Sequence, residues 1–239
     1  MNPKEPRAEH CEYLTPYDVI DVLWDWWENA LITPDMESLK WFDPAVGDGR
    51  LLKRPSDAGC PTIGWDIRNV VDEERYKDRN VSGICDFMRV DSLSVDWPSD
   101  ANVIMNPPFG TRSNDLSSAF LRKAAEHRDK NDVWCAALML TSCLQAMKRL
   151  DIPMPEFRVD LTWRPRFEST KAMSGGYFKD FSWFIYAPKI AKSMIDAIRC
   201  VVSSNKDSSI AFRVTRVTDG IQRDRDRQAK DSCEEQGLA

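Results

Sequence analysis

Phe42-Asp43-Pro44-Ala45-Val46-Gly47-Asp48-Gly49-Arg50-Leu51-Leu52 is the stretch on which the reading of the fold turns. It reads as a short strand over 40–44, a glycine-containing turn and the start of a helix over 48–58. Glycines at such a turn permit a tight bend and close backbone approach to a ligand, the logic of nucleotide-binding loops at strand ends. Downstream, Ile63-Gly64-Trp65-Asp66-Ile67 closes a second strand, 61–66, with an acid 17 residues after Gly49. Doubly wound folds place the partner of ribose hydroxyls near that offset. A third strand, 82–86, is expected to end at Asp86 within Ile84-Cys85-Asp86-Phe87, and Ala101-Asn102-Val103-Ile104-Met105 reads as a buried fourth that runs into Asn106-Pro107-Pro108-Phe109. Each acid alone reads more simply as a solvated loop residue or a helix cap. A glycine loop, two acids and Asn-Pro-Pro-Phe at successive strand ends form a pattern that single residues do not.

The Asn106–Phe109 segment has chemistry of its own. Two consecutive prolines fix φ and remove two backbone donors, so neither a central strand nor a helix interior can continue through them. The carbonyls are left free to point elsewhere. An amide side chain, a rigid carbonyl and an aromatic face suit an exocyclic amine on a flat ring, with two acceptors for its N–H groups and a surface to stack on. The simpler alternative is a Pro-Pro turn with a packed Phe.

Outward from these motifs, Pro16 to Leu31 is expected to be a helix with Thr15 as N-cap and Pro16 at its first position. Trp24, Trp26, Trp27 and Leu31 give it a large apolar surface, suited to the core or to an interface with a partner protein. After the Asn106 segment come a helix over 115–128, a buried strand over 133–140, strands over 157–163 and 181–187 joined by a long loop holding Ser174-Gly175-Gly176, a helix over 190–201 and a terminal strand over 209–217. Strands alternating with helices predict an α/β, doubly wound, mostly parallel sheet with right-handed crossovers. Residues 1–219 are read as a single domain with an N-terminal helical segment. From 220 to 239 the charged run, including Arg223-Asp224-Arg225-Asp226-Arg227, reads as a solvated, disordered tail.

The chain has 239 residues and a net charge of -5, enough length for one good core. It contains no apolar run long enough to cross a membrane. Its seven cysteines are scattered without Cys-x-x-Cys spacing, and only His10 and His127 stand beside them. That combination predicts reduced core thiols in a cytoplasmic protein and no metal site. Residues 1–100 carry 11 basic against 21 acidic side chains and residues 101–239 carry 22 against 17, so phosphate contacts are expected in the second half. The best candidate is the stretch in which Arg158, Arg164, Arg166, Lys171 and Lys179 interleave with Trp163, Phe167, Tyr177 and Phe178, arginines for phosphates and aromatics for stacking. Arg164, Arg166, Phe167 and Lys171 are its candidate substrate contacts. Arg122, Lys123, Arg128 and Lys130 read as the outer face of a helix.

At these residues the chain resembles the class I S-adenosylmethionine-dependent amino-methyltransferases, specifically the adenine-N6 methyltransferases. Asp43-Pro44-Ala45-Val46-Gly47-Asp48-Gly49 looks like their first motif, Asn106-Pro107-Pro108-Phe109 like their catalytic motif, and Tyr13-Leu14-Thr15-Pro16 is similar to the segment that lies against the methionine part of the cofactor. The resemblance covers about residues 11 to 187, with Val46 standing where the family often has Cys or Gly. It implies a Rossmann-like sheet with an antiparallel end strand and S-adenosylmethionine as cofactor. By resemblance the cofactor is held by Tyr13, Thr15, Pro16, Asp43, Pro44, Ala45, Gly47, Gly49 and Ile67, with Asp66 at the ribose hydroxyls and Asp86 and Phe87 at the adenine. Asn106, Pro107, Pro108 and Phe109 then carry transfer to N6 of a flipped-out adenine. The first motif with Leu51-Leu52 and Thr15-Pro16 looks more like DNA adenine methylases, including small phage-encoded ones. Gly110-Thr111 after the tetrapeptide resembles ribosomal-RNA adenine methyltransferases. DNA is the expected polymer, with RNA the alternative. A DNA-acting enzyme would associate with the nucleoid. A protein-glutamine methyltransferase and a non-catalytic partner subunit are the rival readings.

Overall fold

The computed structural model describes residues 13–29, 39–72, 81–109, 115–145, 149–165, 167, 179–189 and 212–216. The expected helix over 190–201, the tail from 220, Gly110-Thr111, Arg166 and Lys171 lie outside those residues.

Among the described residues eight strands form one sheet: β1 (Lys40–Asp43), β2 (Thr62–Asp66), β3 (Asp86–Arg89), β4 (Ala101–Met105), β5 (Cys135–Leu140), β6 (Phe157–Leu161), β7 (Phe181–Tyr186) and β8 (Phe212–Arg216). Their spatial order is β3-β2-β1-β4-β5-β7-β6-β8. The first five run parallel to one another, β7 is antiparallel to β5, and β6 and β8 continue the antiparallel end. The sheet is therefore the doubly wound, mostly parallel one expected, with three strands where one antiparallel end strand was implied. Chain order reverses between β1 and β4, and in open α/β sheets ligands bind outside the carboxyl ends of the strands at such a switch point. The two loops that leave there are the glycine loop after Asp43 and the Asn106–Phe109 segment after Met105.

Side chains alternate across the sheet with period two. Trp41 and Ile104 face one apolar cluster, while Phe42, Val103 and Met105 face the other. The first cluster is covered by α1 (Tyr17–Asn29) and α2 (Arg50–Asp57), the second by α4 (Leu116–Asn131). In α1, Trp24, Trp26 and Trp27 are all buried. Trp24 meets Trp41 with ring centroids 5.0 Å apart, Trp27 meets Trp134 at 4.7 Å, and Trp26 meets Phe157 at 5.2 Å. Trp183 Nε1 donates to the Val19 carbonyl at 3.0 Å and ties the helix to β7. The tryptophan face is thus spent on the chain's own sheet, which corrects the expectation that it could meet a partner protein: those rings have no apolar surface left to offer.

Two boundaries differ from expectation. α1 begins at Tyr17, with the Pro16 carbonyl accepting the N–H groups of Val19 and Ile20, so Pro16 precedes the helix. The Thr15 hydroxyl bonds an amide elsewhere, as described below. Residues Val81–Ile84 form a short helix, α3, and β3 starts at Asp86, where a strand was expected to end. The reason is register: Asp86 pairs with Ile63 and Arg89 with Asp66, so the carboxyl edge comes after Arg89. Cys60, Cys85, Cys135 and Cys143 are buried. No helix among the described residues is long and apolar enough to cross a membrane.

Candidate active site

The glycine loop is built from below by Asp43. This residue is fully buried, its Oδ1 accepts the Ala45 N–H at 2.9 Å, and burial pushes its carboxyl well above the usual carboxylate range, with the Ala45 bond opposing and the carboxylates of Asp66 and Asp48 adding to the rise. The loop itself needs left-handed backbone at Gly47 (φ 53°) and at Gly49 (φ 81°), the residue that caps α2. A side chain at either would be strained. Gly47 N–H donates to Asp66 Oδ2 at 3.1 Å, locking the loop to the end of β2.

Asp48 and Arg50 fasten the loop to the N-terminal segment. They form a buried ion pair, Nε to Oδ2 at 2.8 Å, with side chains 2% and 4% exposed. Arg50 Nη1 also donates to the Thr15 carbonyl at 2.8 Å, and its guanidinium lies 5.1 Å from the Tyr17 ring centroid. Thr15, so anchored, holds Asn106: Asn106 Nδ2 donates to Thr15 Oγ1 at 2.9 Å and to the Tyr13 carbonyl at 3.0 Å. A backbone carbonyl can only accept, so these contacts fix which end of the amide is nitrogen. The other end, Asn106 Oδ1, is buried and has no hydrogen-bond partner among the described residues.

The two loops enclose a cleft. Tyr13, Pro44, Ala45, Gly47, Asp66 and Ile67 line one part of it, and Asn106, Pro107, Pro108 and Phe109 line another. Ile67 is 54% exposed and presents an apolar edge at the mouth. Thr15, Asp43 and Gly49 support the lining from behind, and Pro16 caps α1. Asp86 and Phe87 are not brought to the cleft: Asp86 is exposed at the start of β3, and Phe87 packs against the core. Their place is taken by Asp91, Ser92 and Leu93, which line the cleft beyond the true end of β3 together with Arg68, Leu116 and Phe120. Sequence reasoning missed this set because β3 is an edge strand with mostly exposed residues, and Ile84-Cys85 supplied a more apolar imitation just before it.

Beside the tetrapeptide, Tyr13, Phe109, Phe167 and Phe181 form a group of aromatics, with Phe109 to Tyr13 at 5.8 Å, Phe109 to Phe181 at 5.7 Å and Phe167 to Phe181 at 4.9 Å between centroids. Phe167 therefore joins Phe109. Arg164 is exposed and paired with Asp180 at 3.4 Å.

No protein-family model matches the sequence, and no curated protein matches it. Solved structures do. A Pyrococcus horikoshii protein assigned as an RNA methyltransferase superposes with a TM-score of 0.56 at 20% identity, over 77% of this chain and 90% of that one. The methyltransferase subunit of a type I restriction-modification system from Streptococcus thermophilus gives 0.54 at 15% identity, over 76% of this chain and 46% of that one. With the strand order, the switch point and the antiparallel end, these likenesses establish a class I, Rossmann-like methyltransferase fold for this chain.

Proposed function

We propose that the protein is an S-adenosylmethionine-dependent methyltransferase that modifies the exocyclic N6 of adenine in DNA. The observation that carries the reading is the Asn106 amide. Two acceptors hold its nitrogen, while its oxygen is buried, without a partner among the described residues, and on a residue that lines the cleft. A buried acceptor left unsatisfied costs free energy comparable to a lost hydrogen bond. An amine N–H brought by a ligand would remove that cost.

The residues of the other part of the cleft fit the cofactor. The Gly47 backbone permits close approach, Asp66 stands at the end of β2 where a ribose-binding acid belongs, and Ile67 offers an apolar edge for a flat ring. Asp91 takes over the adenine-facing role first assigned to Asp86. When bound, S-adenosylmethionine supplies a methyl group already activated on a sulfonium, so the protein's task is positioning.

Adenine N6 is a poor nucleophile because its lone pair is delocalised into the ring. Asn106 Oδ1 and the Pro107 carbonyl accept its two N–H bonds, favour a pyramidal nitrogen and stabilise the positive charge that develops there. Phe109 stacks on the base and holds it, and the adjoining Tyr13, Phe167 and Phe181 keep Phe109 in place. An adenine inside a duplex must be flipped out to reach this group. Arg164 and Phe167, with Arg166 and Lys171, are the proposed contacts to the strand. Of the two superposed structures one is assigned as an RNA methyltransferase and one belongs to a restriction-modification system, so the preference for DNA rests on the motif resemblance.

Incubation with labelled S-adenosylmethionine and unmethylated duplex DNA, single-stranded DNA or unmodified ribosomal RNA tests the assignment. Label in DNA is the expected result. Label confined to RNA would move the protein to the ribosomal type. No label on any polymer by a protein that binds the cofactor would overturn the reading.

A further inference from the structure

The acid expected to receive ribose hydroxyls is already fully engaged by its own chain. Asp66 Oδ1 accepts the Arg68 backbone N–H at 3.0 Å and Arg68 Nε at 3.0 Å, while Oδ2 accepts the Gly47 N–H at 3.1 Å and Arg68 Nη2 at 3.1 Å. A carboxylate offers about four lone-pair sites, and these four donors fill them. The pair is well withdrawn from water, the Arg68 and Asp66 side chains being 13% and 7% exposed. The two backbone donors belong to the glycine loop and to the turn after β2. The guanidinium donors are the two that a side-chain rotation can release.

We propose that Arg68 is an internal competitor of the cofactor nucleoside and thereby sets cofactor affinity. Its guanidinium holds, on Asp66, the two acceptor positions that a vicinal ribose diol takes, so it leaves the carboxylate before the diol binds. The proposal rests on the reading of this cleft as an S-adenosylmethionine site. The exchange is matched in number, two N–H donors for two O–H donors, but not in strength. Hydrogen bonds from a cation to a carboxylate are roughly twice as strong as neutral ones, so part of the cofactor's binding free energy is spent on the exchange. Arg68 itself lines the cleft, so the released guanidinium regains water there. A side chain that were simply a cofactor ligand would have the opposite signature, because its removal would weaken binding.

Titration calorimetry with S-adenosylhomocysteine separates the two. Arg68→Met keeps the bulk of the side chain and removes its donors. It is expected to bind S-adenosylhomocysteine about tenfold more tightly than wild type, the scale of one charge-assisted hydrogen bond no longer surrendered. Without ligand the same variant melts at a lower temperature than wild type, since Asp66 is left buried without its cation. Arg68→Lys, with a point charge in place of the planar fork, should fall between. Equal or weaker binding by a cooperatively melting Arg68→Met would overturn the proposal. Should Arg68→Met not fold, Arg68→Lys decides on the same criterion, with tighter binding supporting the proposal and equal or weaker binding overturning it. A wild type that does not bind S-adenosylhomocysteine would overturn the cofactor reading and this proposal with it, a result distinct from failure of the Arg68 competition alone, in which wild type binds.

Discussion

Asp43 illustrates how one residue can serve a loop at a cost to the fold. Its Oδ1 organises the turn by accepting from Ala45, yet its carboxyl is fully buried and held well above its ordinary value of 3.8, chiefly by burial. Because the folded value exceeds the unfolded one, the stabilising protonated form is fully present below pH 3.8 and its contribution is lost as pH rises through the raised folded value. Asp43→Asn keeps an acceptor for Ala45 and cannot ionise. Its melting temperature relative to wild type should therefore climb as pH rises from about 4 toward neutrality. Parallel melting curves across that range would show that burial of Asp43 does not set its titration. Val46 has a complement in β2: a Cβ on Gly64 would come within 2.7 Å of Val46 Cγ2 and of Cys85 Sγ. Gly64 thus makes room for Val46 across the sheet. That relation joins the loop after β1 to β2 and could not be read from the sequence.

At the scale of elements, legibility followed apolar patterning. β4 was expected over 101–105 and forms over Ala101–Met105, where all five residues are buried. β1, β2 and β7 lie within a residue or two of expectation, because a strand covered on both faces announces itself as an apolar run. β3 carries a mostly exposed edge and gave no such signal, so its carboxyl end, and with it Asp91, was misplaced. The polar clamps of the site were also illegible. Asp48–Arg50–Thr15–Asn106 joins residues up to 91 positions apart, and it depends on side-chain directions that no spacing encodes. For α1 the composition was clear but its destination was not. Trp27 is 1% exposed and packed against Trp24, Trp26, Trp41 and Trp134. Trp27→Ala should lower unfolding free energy by about 3–5 kcal/mol in urea denaturation, as for other buried aromatics. A loss below about 1 kcal/mol, the range of ordinary surface changes, would mean that the helix is not part of the core and would reopen the question of a partner.

The whole molecule sets the site by topology. Reversal of strand order between β1 and β4 brings the glycine loop and the Asn-Pro-Pro-Phe segment to one opening, where Gly47 and Asn106 line the same cleft. Acid is concentrated in the first part of the sequence and base in the second, where the proposed phosphate contacts lie. The central claim is that this opening delivers a methyl group to adenine N6 through Asn106. The direct measurement is mass spectrometry of nucleosides released from methylated DNA, comparing wild type with Asn106→Ala at equal cofactor occupancy. The account predicts N6-methyladenine as the product, formed about 10²–10³-fold more slowly by the variant, the scale seen when one charge-stabilising hydrogen bond is removed from an active site. A different methylated base, or an unchanged rate in Asn106→Ala, would contradict it.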